Sequence, residues 1–376
     1  MVKKILIIGN SFFPENSPRA FRTTELVKEF ARQGHKVTVL IPKNAKEHVK
    51  FEKEHGVEIK DLGKNKCKEI DTTSGGKYIV LLKRMVRRIL NLFFEFPDIG
   101  WMSKVKHKLK TEAGYDLLIS IAVPFPIHWG VAWARTKKNR IATIWVADCG
   151  DPYYFNSLDS FKKMFYFQYL EKWFSKKADF ISIPFEGLKR YFFKEFNDKY
   201  RVIPQGFNFN EIRICNEPIK NEVITFAYAG GFIKNKRDPR KFLDLISTIK
   251  EPFRFIVYNE QKEFTNPYKA ILGDKLIIKD YIPRDKLLYE LSKMDFLVNF
   301  EYDPENQAPS KLIDYSLVKR PILLTKSNEF DEKIIYEFLK KNYEHQFKYD
   351  QISKFDIKNV VSQFLELSKT DRNAIH

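Results

Sequence analysis

Apolar runs and amphipathic stretches alternate from the first residues of the chain. Residues 5–8 form a continuous apolar run, as in a buried parallel strand, and this run stops at Gly9. Residues 19–33 carry apolar side chains near helical spacing, and Gly34 follows them as a helix cap. Residues 37–41 form the next apolar run. Strand, helix and strand in this order predict a βαβ unit, and hence a parallel sheet covered by helices.

The later apolar runs fall into two series, which meet near residues 205–222. The first series continues at residues 117–120, 141–146, 180–183 and 201–206, and the second occupies residues 223–231, 253–258, 276–278, 296–300 and 321–324. We therefore predict an α/β protein with two Rossmann-like, doubly wound parallel-sheet domains that face each other across a cleft. The predicted domains are residues 1–205 and residues 206–376, the second with a helical, lysine-rich tail. Such sheets bind ligands at the carboxyl ends of their strands.

Residues 78–96 have an unusually regular amphipathic pattern. Large apolar side chains recur at helical spacing, and the opposite face carries Lys83, Arg84, Arg87, Arg88 and Asn91. A basic amphipathic helix of this kind fits a membrane interface. It fits equally well a helix that packs on its own sheet and leaves its basic face in water.

The positive charge of the chain is concentrated in its first half. Of the 376 residues, 30% are charged and 44% are hydrophobic, so the chain can build packed cores. Residues 1–205 hold 38 Lys and Arg against 22 Asp and Glu, whereas residues 206–376 hold 28 against 26. A general lysine bias would raise both halves. We therefore expect the basic half to meet an anionic partner, either nucleic acid or an anionic membrane surface.

Membrane-spanning, secretory and disulfide signals are weak in this sequence. The longest apolar runs fall far short of the roughly 18 residues of a spanning helix. The N-terminal run is too short for the core of a signal peptide. Cys67, Cys149 and Cys215 are odd in number and far apart, which fits neither a disulfide framework nor a zinc site. We expect a reducing, cytoplasmic location and no metal ligands.

The most informative stretch for chemistry runs from Pro309 to Asp314. Pro309 ends irregular backbone, Ser310 can cap a helix, and Lys311 and Leu312 then supply the first free backbone amides. Such a helix start favours an anion, and Asp314 follows one turn later on the same face. Amides beside a carboxylate suit a nucleotide, with the diphosphate on the amides and sugar hydroxyls on the acid. The alternative is an ordinary capped helix whose charges face water.

Four stretches, in the expected order, resemble GT-B-type glycosyltransferases, and most of all the family-four glycosyltransferases that build bacterial surface polysaccharides. Residues 1–39 resemble the N-terminal half of that family, with a Phe-Phe-Pro loop and a Gly-His-Lys-Val turn. Residues 145–152 resemble its D-x-x-D-P segment, and residues 202–208 resemble its hinge, V-I-P-N-G-x-D. Residues 309–321 resemble its P-S-K-L-x-E-Y … G-K-P-V-L segment, which holds the donor nucleotide.

The resemblance implies a glycosyltransferase with a nucleotide-sugar site in its C-terminal half and an acceptor site in its N-terminal half. The expected donor is a UDP- or GDP-linked sugar, with no further cofactor and no bound metal. The expected acceptor is a lipid-linked glycan in capsule, lipopolysaccharide or other surface polysaccharide synthesis. We expect a peripheral protein on the inner membrane face that retains the configuration of the sugar.

The resemblance also implies donor contacts elsewhere in the C-terminal half. Gly230 and Gly231 end a strand and let the diphosphate approach the backbone. Lys236 or Arg237 falls where the family places a cation on the diphosphate. The family's arginine directly after the first glycine is absent, because Gly231 stands there. Alternatively, the two glycines serve only a tight turn.

The contacts to the base and to the transferred sugar are less well defined. Tyr281 and Ile282 follow a strand, where they hold the base or simply end the strand. The family pairs two acidic residues eight positions apart, but the position eight before Asp314 is Asn306, with Glu305 beside it. Asn306 is our predicted contact for the sugar, with Glu305 as the alternative. This departure leaves the sugar and the stereochemistry open.

In the N-terminal half, the predicted catalytic residues are Asp148, Asp151 and His128. The two aspartates follow a strand, and either can take a proton from an acceptor hydroxyl. Alternatively, Asp151 caps a helix ahead of Pro152. His128 is a candidate contact for the donor sugar, although a lone histidine is more often structural. Arg19, at the start of the first helix, is a candidate phosphate contact for the acceptor.

Two other functional classes remain open at this stage. The first is a nucleic-acid-binding protein, suggested by a sequence pI of 9.5 and an aromatic content of 15%. The basic residues interleave with acids and no known nucleic-acid module is present, so we predict no nucleic-acid partner. The second is an inactive relative that only binds glycan, a reading that Asn306 keeps open.

Overall fold

The computed structural model describes residues 1–136, 138–156, 162–218, 220–234, 237–300, 310–325 and 331–370. The chain forms two compact units. The first contains Met1–Phe207 and Lys354–His376, and the second contains Asn208–Ser353. Each unit is built on its own parallel sheet.

The first unit is a seven-stranded sheet with helices between its strands. In chain order its elements are β1 (Lys4–Ile8), α1 (Pro18–Arg32), β2 (Lys36–Ile41), α2 (Ala45–His55), β3 (Glu58–Asp61), α3 (Lys77–Phe94), α4 (Ile99–Lys108), β4 (Tyr115–Ala122), α5 (Pro126–Ala134), β5 (Ala142–Cys149), α6 (Phe167–Lys177), β6 (Phe180–Ile183) and β7 (Tyr200–Val202). The strand order is β3-β2-β1-β4-β5-β6-β7, and every pairing is parallel.

The second unit repeats this plan with five strands. Its elements are β8 (Ile224–Ala229), α7 (Arg240–Ser247), β9 (Phe253–Tyr258), α8 (Asn266–Leu272), β10 (Leu276–Lys279), α9 (Arg284–Leu291), β11 (Phe296–Phe300), α10 (Ser310–Leu317), β12 (Ile322–Thr325) and α11 (Glu332–Leu339). The strand order is β10-β9-β8-β11-β12, again with parallel pairing throughout.

Both sheets are buried on their two faces, which explains the continuous apolar runs in the sequence. In β1, Ile5 and Ile7 belong to one core cluster, whereas Leu6 and Ile8 belong to another. Successive side chains of a strand point to opposite faces, so a strand covered on both sides needs apolar residues at every position. The predicted α/β fold with two parallel sheets is confirmed.

The last helix corrects the predicted division of the chain. The sequence assigns all of residues 206–376 to the second domain, but residues from Lys354 onward belong to the first unit. Helix α12 (Ile357–Leu367) buries Ile357, Val360, Val361 and Phe364 in the same cluster as Ile5 and Leu26. These four residues share one helix face, and that face completes the cover of the first sheet.

Helix α3 is the element that departs most from ordinary packing. It matches the predicted helix within two residues at each end, yet none of its residues is buried. Its large apolar side chains are exposed, so the alternative of a helix packed on its own sheet with a solvated basic face is wrong. Among the described residues, no helix combines the length and the apolar composition needed to cross a bilayer.

Candidate functional site

A cavity of about 680 Å³ lies at the carboxyl ends of the strands in the second unit. Its lining comes from the chain that follows β8, β9 and β10, from one side of α9 and from the first turns of α10. Six of the predicted donor-site residues line it, namely Gly230, Gly231, Tyr281, Ile282, Lys311 and Asp314. The structure thus brings together residues that lie up to 84 positions apart in the chain, at the edge where parallel sheets bind ligands.

Gly230 occupies a backbone position that favours glycine for two reasons. Its φ is +131°, which residues with a side chain rarely adopt, and a Cβ atom there would lie 2.6 Å from the Lys311 Nζ. The loop is held by its neighbours, since the Gly230 amide donates to the Tyr258 carbonyl (3.1 Å) and Asn259 Nδ2 donates to the Gly230 carbonyl (2.6 Å). The close approach of the lysine therefore depends on the glycine.

Lys311 is held over the ring of a strand tyrosine. Its ammonium donates to the Tyr228 hydroxyl (2.9 Å) and lies 4.1 Å from the ring centroid, and that hydroxyl donates in turn to the Gly231 carbonyl (2.9 Å). Burial, helped by the charge of Arg237, lowers the pKa of Lys311 to about 7. An anionic ligand strongly stabilises the charged form of a cation that has lost its solvation in this way.

Asp314 lies at the same cavity but already has a partner. The Arg284 Nε donates to Asp314 Oδ1 at 3.1 Å, and 23% of the aspartate side chain is exposed. Burial raises the pKa of Asp314 although the Arg284 guanidinium opposes the shift. One residue on, the Tyr315 hydroxyl accepts from the Ala229 amide at 2.9 Å, which fixes α10 against the end of β8.

The other predicted donor residues are only partly accounted for. Leu312 is buried in a core cluster, so only its backbone is available to a ligand. Arg237 and Ile233 exchange two backbone hydrogen bonds, of 2.8 and 3.1 Å, as an isolated antiparallel bridge. Lys236, Asn306 and Glu305 lie outside the described residues, and of Ser310 only the position at the start of α10 is described.

Asp148, at the end of β5, forms a buried ion pair in the first unit. Arg22 donates from Nε to Oδ2 (3.1 Å) and from Nη2 to Oδ1 (2.8 Å), and the Ser182 hydroxyl donates to Oδ1 (2.6 Å). Burial alone would raise the pKa of Asp148, but the Arg22 guanidinium outweighs it and the pKa lies below its usual value. A buried carboxylate that already accepts three hydrogen bonds is poorly suited to take a proton from an acceptor.

His128 is also a structural residue and does not reach a ligand surface. Its side chain is fully buried between Phe125 and Phe174, and burial lowers its pKa to about 3. The Ser120 hydroxyl lies 2.8 Å from the His128 Nδ1 and accepts from the Trp145 indole at 2.8 Å. The predicted contact between His128 and the donor sugar is therefore wrong, because the imidazole belongs to the core under β4 and β5.

Asp151 and Arg19 lie together and remain open to solvent. The Arg19 Nη2 is 3.5 Å from Asp151 Oδ2, and 53% of the Asp151 side chain is exposed. The guanidinium lies directly over Gly150, where a Cβ atom would be 1.6 Å from Nη2. The first unit thus presents an accessible carboxylate and a cation side by side at the carboxyl end of β5.

Several residues of these sites have no signal in the sequence pattern. Tyr228 and Arg284 hold Lys311 and Asp314, and Arg22 holds Asp148, but each looks like an ordinary strand or helix residue. Asn259 and Gln261, which support the glycine loop through Gly230 and Phe232, follow β9 directly. Polar residues at that strand end are the one signal that could have identified them. Among the described residues, no group of three or more His, Cys, Asp and Glu side chains is positioned to hold a metal ion.

Comparison with solved structures identifies this architecture. A glycosyltransferase from Rickettsia africae aligns with a TM-score of 0.61 and 14% identity over 98% of both chains. Anabaena HepE, solved in complex with UDP, gives 0.55 and 10% over 97% of both chains. The lipopolysaccharide outer core galactosyltransferase WaaB gives 0.55 and 13% over 98% of this chain and 100% of its own. These likenesses show that the fold is that of GT-B glycosyltransferases.

No curated protein sequence matches that of this chain. The family model of Glycosyltransferase Family 4, however, matches residues 21–211. That range is more than half of the chain, and it runs from within α1, through β5, to just beyond the end of β7. The match confirms the resemblance seen in the sequence motifs, and the chain is a glycosyltransferase that belongs to Glycosyltransferase Family 4.

Proposed function

We propose that this protein transfers a sugar from a nucleoside diphosphate sugar to a lipid-linked glycan. The observation that carries the proposal is the cavity of the second unit, where a glycine loop, a partly desolvated lysine and a carboxylate converge. These three groups match the diphosphate and the ribose of a nucleotide. Its volume of about 680 Å³ is in the range of small-molecule sites.

The diphosphate is expected at the start of α10. Lys311 supplies the cation, and the first amides of α10 and its dipole add donors for the same anion. Arg237, whose charge acts on Lys311, is the second cation, with Lys236 as the alternative. Because these charges are in place before reaction, they stabilise the diphosphate as it leaves.

The nucleoside is expected over the ends of β9 and β10. Asp314 accepts from the ribose hydroxyls, with its carboxylate oriented by Arg284, and Tyr281 and Ile282 cover the base. The UDP in the Anabaena structure supports a uridine nucleotide as the first donor to test. Asn306 is our proposed contact for the transferred sugar. We propose transfer with retention of configuration and without a bound metal.

The acceptor is expected at the first unit. Asp151 and Arg19 are the accessible acid and cation there. The Asp151 carboxylate accepts a hydrogen bond from the hydroxyl of the glycan that receives the sugar, and Arg19 binds a phosphate of the same molecule. Asp148 serves instead to hold Arg22 and the end of β5. The excess of positive charge in residues 1–205 suits a pyrophosphate-linked lipid acceptor at an anionic membrane. We therefore propose a cytoplasmic protein, peripheral on the inner membrane, that acts in bacterial surface polysaccharide synthesis.

Calorimetric titration with UDP-sugars and GDP-sugars tests the donor site. We expect binding of one nucleotide class, and a loss of at least about tenfold in affinity for Lys311→Ala and for Asp314→Ala, because each removes a charged hydrogen-bonding partner. Lys286→Ala, on the exposed side of α9, is the matched control and should bind as the wild type does. Equal affinity in all variants, or no nucleotide binding at all, would rule out the proposal.

A donor screen with mass-spectrometric detection separates an enzyme from a binding protein. The protein is incubated with each nucleotide sugar and a lipid extract, and products heavier by one sugar are sought. Nucleotide binding without any product from any donor would favour an inactive relative.

A further inference from the structure

Helix α3 presents its apolar side to solvent. Leu82 is 61% exposed, Met85 54% and Ile89 52%, and these residues lie on one face at helical spacing. Exposed large side chains continue at the end of the helix with Phe94. The exposed Phe165 is adjacent in the chain to Tyr166, whose hydroxyl donates to the Phe93 carbonyl near the end of α3. A row of large exposed apolar side chains on one helix face marks an interaction surface.

The polar face of α3 is turned toward its own chain. Lys83 Nζ donates to the Ser74 carbonyl (2.9 Å) and hydroxyl (3.2 Å), and Arg87 pairs with Glu69. This orientation is the reverse of an ordinary surface helix, which buries its apolar side. The contacts with Glu69 and Ser74 therefore hold the apolar face outward.

A cavity of about 520 Å³ lies beside the polar face of α3. Three guanidinium groups, those of Arg84, Arg87 and Arg88, line it together with the Asn91 amide. These four positions follow the spacing i, i+3, i+4 and i+7, so they form one stripe on the helix. Two carboxylates, Glu69 and Asp98, also line the cavity, so the described lining keeps an excess of positive charge.

The chemistry of the lining points to a phosphate group. Guanidinium groups match phosphate oxygens in bidentate pairs, and an amide can donate a further hydrogen bond. The apolar face of the same helix indicates where that phosphate comes from. An amphipathic helix in a membrane buries its apolar side at the acyl boundary and keeps its polar side at the level of the head groups.

We propose that this cavity holds the phosphate of an anionic phospholipid in a bilayer that receives the apolar face of α3. A second copy of the chain is a poorer occupant, because it could cover the apolar face but would bring no phosphate to the guanidinium groups of the cavity. This assignment deepens the membrane part of the proposed function. It does not require the transfer reaction, and it is tested without any nucleotide sugar.

Vesicle co-sedimentation of the full chain tests the assignment. Vesicles of phosphatidylcholine alone are compared with vesicles that contain one quarter phosphatidylglycerol. We expect binding to the anionic vesicles, and a loss of about 30-fold in affinity for the double variant Arg84→Gln/Arg88→Gln, since each basic residue at the surface contributes about fivefold. Lys50→Gln/Lys53→Gln, on the exposed side of α2, makes the same charge change and should lose less than about threefold.

A second variant tests the apolar face. Leu82→Ser/Ile89→Ser should reduce binding to the anionic vesicles by more than tenfold, because the apolar area no longer enters the bilayer. Both residues are exposed, so thermal unfolding should stay that of the wild type. Calorimetric titration of Arg84→Gln/Arg88→Gln with nucleotide reports separately on the donor site, which we expect to be unchanged.

Three outcomes would overturn the assignment. Equal losses in the cavity and α2 variants would indicate diffuse charge attraction instead of a phosphate site. A soluble anion would be indicated if inorganic phosphate or glycerol phosphate bound in the cavity of the wild type and Arg84→Gln/Arg88→Gln lost that binding but still bound vesicles as the wild type does. A wild-type dimer in light scattering that becomes a monomer in Leu82→Ser/Ile89→Ser, without vesicle binding, would indicate a second copy on α3.

Discussion

Lys311 combines three properties that rarely occur in one surface lysine. It lies in the first turn of a helix and against the Tyr228 ring, and it is desolvated enough to lower its pKa to about 7. A lysine with this pKa is charged only in part at neutral pH. Its contribution to anion binding must therefore depend on pH in a range where ordinary lysines are constant.

We expect the affinity for UDP-glucose to fall as the pH rises above 7. In the free protein Lys311 is protonated below that pH and neutral above it, so at higher pH binding must first supply a proton. The loss can reach about tenfold per pH unit at most. Calorimetry at pH 6 to 9 measures it, and UDP-glucose is the right probe because its diphosphate does not titrate there. Lys311→Arg, which stays charged, should flatten the profile; identical profiles would contradict the explanation.

For single residues, the sequence predicted which ones lie at strand ends and helix starts better than it predicted the side chains with which they pair. Lys311 and Asp314 were found because a helix start has a defined chemistry, and Gly230 because it ends a strand. Asp148 follows a strand as a catalytic acid would, but its pairing with Arg22 joins residues 126 positions apart and is a property of the folded unit. His128 fails for a similar reason, since no local pattern separates a core histidine from an exposed one.

Among the elements, α12 shows how a short helix can belong to a distant part of the chain. Ile357, Val360, Val361 and Phe364 follow helical spacing, so a helix is easily predicted. The pattern does not say which sheet that helix covers. The Phe364 ring also lies 5.5 Å from the Arg22 guanidinium, so the helix covers the ion pair with Asp148.

We expect Phe364→Ala to destabilise the first unit by about 3–5 kcal/mol, because it removes a fully buried aromatic ring and leaves a cavity. Urea unfolding followed by tryptophan fluorescence measures the change. Glu366→Ala, on the exposed side of the same helix, is the control and should shift stability by less than about 0.5 kcal/mol. A small effect of Phe364→Ala would mean that α12 is not part of the folded first unit.

Of the twelve strands in the described part of the chain, only β3 was missed by the sequence pattern. Residues 180–183, 253–258 and 296–300 were predicted with the bounds seen in the structure, since each is an apolar stretch interrupted by a single polar residue. Strand β3 was missed because its sequence, Glu-Ile-Lys-Asp, has one buried residue and lies at the sheet edge. Edge strands carry charge to avoid pairing with other chains, and this hides them from an apolar pattern.

For the whole molecule, the net charge of +18 raises the question of nucleic acid. Many cations of the first unit already have acidic partners, as in Arg32 with Glu29 (2.6 Å), Lys60 with Glu112 (2.8 Å) and Lys172 with Glu195 (3.0 Å). Phosphate backbones are bound by unbroken basic surfaces that release counterions. A surface on which basic and acidic side chains alternate in ion pairs binds phosphate backbones more weakly.

We therefore expect no retention of RNA or duplex DNA in gel shifts at 0.15 M salt and micromolar protein. Weak retention at low salt that vanishes by physiological salt is consistent with the net charge alone. A shift that persists at physiological salt and falls steeply only above it would contradict this prediction and would revive a nucleic-acid partner.

The return of α12 to the first unit has a consequence for biosynthesis. Residues 1–207 leave the ribosome without the helix that covers one side of their sheet, and all of residues 208–353 must be translated before it is made. At the usual 5–20 residues per second, this delay lasts roughly ten to thirty seconds. During that interval Ile5, Leu26 and their neighbours are not covered by α12 and stay exposed. The nascent chain should therefore be a client of chaperones until its last helix emerges.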